Sequence, residues 1–294
     1  MLTVVYVVNP AAAGARATQF VPQLRAAAAA LGLQGEIVCT DRPGDATALA
    51  GQAAAAGAEV VVAVGGDGTA AEVAAGLLGT GTALAVLPAG SGNDLAAELG
   101  MPREWRHALA ALVAARRRRI DVGFANGRPF LQSAGAGLDA YVAQLRQRGR
   151  RLAGLAGPRA YAVLAILGLL TYRPVEATLQ LDGRRWTQRL LAVTVANGER
   201  YGGGLRIAPG AQIDDGEFDV AIVGDLGRLD ALRTFPRVYH GAHVGHPKFR
   251  LARGQSLTVS AARPLPVHAD GELHGVTPTT FTIQPRALEV LCLR

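Results

Sequence analysis

Hydrophobic and polar positions change rhythm twice along the 294-residue chain. Up to about residue 125, short β-branched or aliphatic runs at Leu2–Val8, Gly35–Cys39, Val60–Val64 and Ala83–Leu87 predict strands. Between them lie alanine-rich stretches of helical period, at about residues 17–31, 45–56 and 70–78. Two further helices are predicted over 94–99 and 103–117, the arginines of "ARRRRID" suiting a helix C-terminus, and Ile120–Phe124 reads as a closing strand. Strict alternation of this kind predicts an α/β domain with a doubly wound, mostly parallel sheet.

After "FANGRP" the rhythm shifts. A helical zone at roughly 138–170 precedes short strand-like runs punctuated by Asp-Gly and Pro, among them "GEFDVAIVG", "SLTVSAARPLPVHADGEL" and "TTFTIQPRALEVLCL". That pattern predicts a β-rich, antiparallel, sandwich-like second domain. The predicted division is 1–125 and 126–294, with the last residues able to pack back on the first domain.

Three loops follow predicted strands and lead into helices: "NPAAAGAR" (Asn9–Arg16), "GGDGT" (Gly65–Thr69) and "PAGSGNDLA" (Pro88–Ala96). In an open parallel sheet, all three fall at the ligand-binding edge. A glycine turn opening a helix suits phosphate, because its N–H groups and the helix dipole favour anions. Each loop taken alone is equally read as a tight turn. The lysine of the common phosphate loop is missing, since Lys248 is the only lysine in the chain. Arg16 and Arg42 lie in or beside the loops.

The formal charge of +7 fits anionic lipid, phosphorylated ligands or nucleic acid. Arginines without interleaved aromatics disfavour nucleic acid. Cys39 and Cys292 stand singly, giving no disulfide or zinc pattern. The longest apolar run, Ala160–Tyr172, is too short to span a bilayer and sits beside Arg146, Arg148, Arg150, Arg151 and Arg159. An apolar helix with such a flank predicts transient peripheral membrane contact, and a start without a signal-peptide pattern predicts a cytoplasmic protein.

"NP…G", "GGDGT", "PAGSGNDLA", "SAGAGLDAYVA", "VANGERYGGGLRIAPGAQIDDGEFDV" and "ADGEL" occur in one order over essentially the whole chain. Together they resemble the diacylglycerol kinase catalytic-domain family, which includes sphingosine kinases and bacterial lipid kinases. The resemblance implies two domains with ATP in an interdomain cleft, a lipid hydroxyl as acceptor, and Mg²⁺. Carried over by position, nucleotide contacts fall on Asn9, Gly14, Thr40, Gly65, Gly66, Asp67, Gly68, Thr69 and Ser91. Asp67 is also placed in the catalytic set, holding Mg²⁺ directly or through water. Ser91 replaces the commoner threonine, and the first loop is poorer in serine and glycine than usual.

Asp-Gly-Glu occurs twice, and hairpin turns are the plain reading of both. By resemblance, Asp215 with main-chain groups near Gln212 and Glu217 forms a structural metal site. Asp270 is the general base, with Glu272 second and His268 third. Asp139 and Asn197 shape the lipid side, or serve as turn or cap residues. A NAD kinase, which shares "GGDGT" but not the later motifs, and an inactive lipid- or nucleotide-binding regulator are the alternatives. A homodimer is compatible with everything above.

Overall fold

The computed structural model describes residues 3–12, 17–150 and 158–293. Its contacts divide the chain into unit 1, Met1–Ile120 with Arg286–Arg294, and unit 2, Asp121–Pro285. The chain passes between the units in strands β5 (Arg116–Ala125) and β15 (Thr279–Cys292).

In unit 1, β1 (Val4–Val8), β2 (Gly35–Cys39), β3 (Val60–Gly65) and β4 (Ala83–Pro88) pair in parallel in the order β2-β1-β3-β4. The end of β15 adds beside β4, with Val290 opposite Leu84. Every residue of β1, β3 and β4 is buried, which is why they read as unbroken aliphatic runs. Helices α1 (Ala17–Ala30), α2 (Asp45–Ala55), α3 (Asp67–Leu77), α4 (Asp94–Glu98) and α5 (Trp105–Ala111) fill the connections. Strand order reverses between β1 and β3, which makes a topological switch point at the mouths of the loops that follow them.

One expectation fails here. The arginines of "ARRRRID" do not close a helix: α5 ends at Ala111, a single 3-10 turn follows, and β5 begins at Arg116. The arginines stand on the solvated start of that strand, and Arg117 and Arg119 reach Glu289 of β15 at 2.6 and 3.8 Å. The carboxylate that fixes them lies too far along the chain to be visible in the local pattern.

Unit 2 is an antiparallel, sandwich-like assembly. Its strands are β6 (Arg128–Phe130), β7 (Ser133–Gly137), β8 (Val175–Leu181), β9 (Arg184–Ala196), β10 (Phe218–Gly224), β11 (Phe249–Gly254), β12 (Ser256–Ala261), β13 (Pro266–Ala269) and β14 (Glu272–Val276). The long β9 is central, pairing with β8 through its first half and with β7 and β10 through its second. Ala134, Ala136, Val193, Val195, Val267, Phe218 and Phe281 pack into one core. By the two-residue period of a strand, Ser133, Gly135, Thr194 and His268 therefore face the other way. The helical zone resolves into two helices, α6 (Leu138–Arg150) and α7 (Pro158–Thr171), and α8 (Arg228–Val238) joins them.

Candidate active site

The loops of unit 1 are closed by short contacts among themselves. Asn9 Nδ2 donates to Thr69 Oγ1 at 3.0 Å, tying the loop after β1 to the first turn of α3 across the switch point. Ala89 and Gly90 both donate their N–H to Gly65 O, at 2.8 and 3.2 Å. Glycine is required there by packing. A Cβ on Gly90 would stand 2.4 Å from the Gly66 Cα, and one on Gly65 would stand 2.4 Å from Thr69 Oγ1. Asn93 adopts the left-handed region and folds its side chain back onto Gly90, accepting from its N–H and donating to its C=O.

Helix α3 has no side-chain cap on its first turn, so the N–H groups after Gly66 are left to another acceptor. Such an end suits a phosphate. Asp67 Oδ1 accepts from Leu95 N at 3.1 Å, so this carboxylate links the loop after β3 to the start of α4. Burial pushes the Asp67 carboxyl up, although main-chain donors at Leu95, Asn93 and Asp94 pull the other way. Thr40 continues the β2–β1 ladder, its N–H donating to Val8 O at 2.9 Å, and Ser91 is exposed at the tip of its loop. Gly14 and Arg16 lie outside the described residues. Arg42 is mostly exposed and pairs with Asp45 at 3.1 Å, so its charge is engaged locally.

Asp270 is built differently. The turn between β13 and β14 holds Asp270 and Gly271 at φ +46° and +79°, the conformation an Asp-Gly hairpin demands. Its carboxylate then accepts three main-chain N–H groups: Leu131 at 2.7 Å on Oδ2, and Gln132 and Ser133 at 2.9 and 3.0 Å on Oδ1. This clamp fixes the carboxylate's position. Glu272 is exposed two residues on. Asp270 is thus rigidly placed, whereas Glu272 is placed by its strand alone.

Around the clamp lie buried polar groups that the sequence left largely unassigned. The Gln132 amide, Ser133 Oγ, Asn197 Oδ1 and both His268 ring nitrogens are buried without a hydrogen-bond partner in the protein. Natural proteins pair nearly all such groups, so this concentration marks a place where water or a ligand completes the bonding. Asn197 Nδ2 donates to Asp121 O and Leu131 O, both at 2.9 Å, which makes its amide a strut for the strand ends. Thr194 Oγ1 donates to Asp139 Oδ2, and Tyr201 stacks on the His268 ring with centroids 6.4 Å apart. Burial pushes the His268 imidazole down, against a smaller pull upward from Asp139. Thr194 carried no motif signal, and Tyr201 lies within the "VANGERYGGG" motif without having been singled out.

Asp139 and Tyr201 also line a cavity of about 100 Å³ whose other walls are mainly apolar, including Leu138, Val142, Ala165, Leu191 and Phe235, with Thr234, His243, His246 and Lys248 among them. An apolar chamber with a few polar groups gathered at the lining is the usual form of a small-molecule site.

The earlier Asp-Gly-Glu, Asp215–Glu217, is engaged by an arginine. Asp215 Oδ2 is paired with Arg253, and Glu217 reaches the same guanidinium at 3.2 Å. The turn itself hangs on Asp121, whose Oδ2 accepts from Gly216 N at 2.6 Å. Gln212 and Glu217 flank it, but among the described residues no three His, Cys, Asp or Glu side chains converge as a metal site. The arrangement expected here, one carboxylate with main-chain carbonyls near Gln212 and Glu217, is a different donor set.

Comparison with known proteins gives one consistent result. Residues 3–125 match the family described as the Diacylglycerol kinase catalytic domain, and residues 132–292 match the YegS C-terminal NAD kinase beta sandwich-like domain. A diacylglycerol kinase of Mycobacterium tuberculosis is 34% identical over 257 residues, covering 84% of this chain and 81% of its own. A Pseudomonas aeruginosa protein named "Probable lipid kinase YegS-like" is 34% identical over 273 residues, covering 91% and 89%. The crystal structure of a diacylglycerol kinase from Bacillus anthracis superposes with a TM-score of 0.77 at 22% identity, over 99% of this chain and 96% of that one, and speaks to the fold.

Proposed function

The chain belongs to the diacylglycerol kinase family of lipid kinases, and from that premise we propose that it transfers the γ-phosphate of ATP to the free hydroxyl of a diacylglycerol-like membrane lipid. The observation that carries the acceptor's identity is the apolar cavity of unit 2, with Asp139 and Tyr201 in its lining and His268 stacked on that tyrosine. Aliphatic walls suit an acyl chain. The adjoining polar groups suit a hydroxyl-bearing head.

In this reading the loops of unit 1 hold the nucleotide. Asn9 and Thr69, the main-chain N–H groups of Gly65 to Thr69, Thr40 and Ser91 supply the donors, together with Gly14. Mg²⁺ is commonly held by one or two carboxylates plus substrate phosphates, so the single carboxylate of Asp67 in this loop is a sufficient protein contribution. Bound there with ATP, the ion supplies the charge neutralisation that a loop lysine supplies in other phosphate loops.

Phosphoryl transfer asks the protein chiefly for positioning. Asp270, held by its three N–H donors, orients the acceptor hydroxyl and takes its proton. Glu272 is the alternative acceptor. NAD phosphorylation is the competing activity, given the description of the second matched domain.

The experiment offers dispersed diacylglycerol, phosphatidylglycerol, a long-chain base and NAD in parallel with labelled ATP and Mg²⁺. Label in diacylglycerol or another lipid is expected. Label in NAD alone, or in none of the four, overturns the proposal.

A further inference from the structure

Three strands of unit 2 set a row of residues side by side. His268 of β13 stands opposite Gly135 of β7, and Gly135 stands opposite Thr194 of β9. Directly opposed residues share a face of the sheet, so His268 and Thr194 flank a position with no side chain. A Cβ on Gly135 would lie 2.4 Å from Val193 O and 3.3 Å from His268 Nε2. The backbone of β9 therefore dictates the glycine, and the edge of the imidazole lies over it. Thr194 Oγ1 in turn donates to Asp139 Oδ2, in the first turn of α6. The row runs His268–Thr194–Asp139, and its last member lines the cavity.

Bonding capacity is left over along this row. Both ring nitrogens of His268 are buried and unpaired, and so is Ser133 Oγ, two residues before Gly135 on the same face. His268 is only 2% exposed, so bulk solvent does not complete its bonds. Thr194 occupies Asp139 Oδ2, which leaves Oδ1 to meet a donor in the cavity. The Asp139 charge is felt at the ring, yet burial outweighs it and works against a cationic imidazole. The row thus contains a carboxylate and no lysine or arginine. Lys248 also lines the cavity, but it precedes β11, two strands beyond β9. An alcohol can donate to such a carboxylate. A phosphodiester has no proton to give at neutral pH and is repelled.

We propose that this row reads the charge of the acceptor's head: Asp139 accepts from an uncharged, hydroxyl-bearing head, Thr194 and His268 hold that carboxylate in place, and a head carrying a phosphodiester is excluded. His268 is a positioning residue here, joined to Asp139 through one water that its unpaired nitrogens call for. The inference rests on the lipid-kinase reading and narrows its substrate class. Diacylglycerol meets the requirement and phosphatidylglycerol does not.

The test compares dihexanoylglycerol with dihexanoyl-phosphatidylglycerol, by calorimetric binding and by turnover with ATP and Mg²⁺. Wild type is expected to favour the diacylglycerol by about tenfold or more in both, the scale of one like-charge repulsion. His268→Leu removes two orphaned polar atoms, so its melt should hold or rise. Its KM for dihexanoylglycerol should rise about tenfold, the scale of one lost charge-assisted contact, while the KM for ATP stays at the wild-type value. His268→Gln keeps a donor and an acceptor and is expected to recover most of that loss. Asp139→Asn keeps an oxygen for Thr194 and should narrow the preference for diacylglycerol, which decides the matter even if His268→Leu fails to fold. An unchanged KM in folded His268→Leu, or an unchanged preference in Asp139→Asn, overturns the proposal. So does binding of neither lipid. Equal or better use of phosphatidylglycerol by wild type overturns it while the kinase reading stands. Selective binding of diacylglycerol with phosphorylation of neither lipid leaves the row standing and removes the kinase reading.

Discussion

The loops of unit 1 and the polar face of unit 2 handle hydrogen bonding in opposite ways. The unit 1 loops tie themselves together through Asn9–Thr69, Gly65–Gly90 and Asp67–Leu95. What they leave open is main chain at the start of α3. In unit 2, Asp270 is held by three main-chain N–H groups, while Gln132, Ser133, Asn197 and His268 keep side-chain atoms buried and unpaired. A backbone cradle recognises phosphate, which every nucleotide carries. A set of buried side chains recognises one particular head group. The difference suits a constant phosphate donor on one side and a selective acceptor site on the other.

The largest expected effect comes from breaking the Asp270 clamp. Asp270→Ala strands three N–H groups and should lower stability by on the order of 3 kcal/mol, measured by urea unfolding. Asp270→Asn separates clamp from chemistry only in part, because its amide keeps one acceptor oxygen. It should abolish turnover while retaining ATP binding, whereas Glu272→Gln should keep most turnover. The reverse ranking would move the proton acceptor to Glu272.

Closure of the unit 1 loops is the next target. Gly90→Ala forces a methyl against the Gly66 Cα and should cost about 1–3 kcal/mol and raise the KM for ATP, without altering the KM for lipid. Asp67→Asn retains an oxygen for Leu95 N but removes the charge. It should leave the melt unchanged and weaken Mg²⁺-dependent ATP use by about tenfold, the scale of one charge-assisted contact. If Asp67→Asn is fully active, Asp67 is a structural tie and nothing more.

The smallest effect is a pH dependence. Burial lowers the folded-state pKa of His268, so the unfolded chain binds more protons below about pH 6.5. Its contribution to stability is complete above that pH and is lost as pH falls toward the folded value. His243 and His274 shift the same way, each chiefly through burial. His268→Gln should therefore shrink, but not remove, the fall in melting temperature between pH 7 and pH 5, a range set by the histidine pKa. An unchanged slope would mean that the ring titrates alike in the folded and unfolded chain.

Much of unit 1 was legible because its chemistry is local. Strands buried on both faces read as aliphatic runs, and loops that need glycine announce it over five residues. Unit 2 was legible as a fold, through its Asp-Gly turns, but far less as a site. Ser133, Thr194, Tyr201 and His268 come together only because β7, β9 and β13 pair out of sequence order. Even "GGDGT" hid part of its meaning, since its first glycine is required by contact with Thr69 as well as by any ligand. The arginines of β5 misled because Glu289, their partner, lies elsewhere in the chain.

The central claim is that unit 2's cavity receives the lipid while the unit 1 loops receive ATP, and filling the cavity tests it most directly. Ala165→Phe adds a ring to the cavity lining. The account predicts that the KM for a long-chain diacylglycerol rises by about tenfold or more as apolar burial is lost, while the KM for ATP and turnover of a water-soluble short-chain diacylglycerol stay near wild type. Equal loss on both lipids in a folded variant, or a change confined to the KM for ATP, would contradict it.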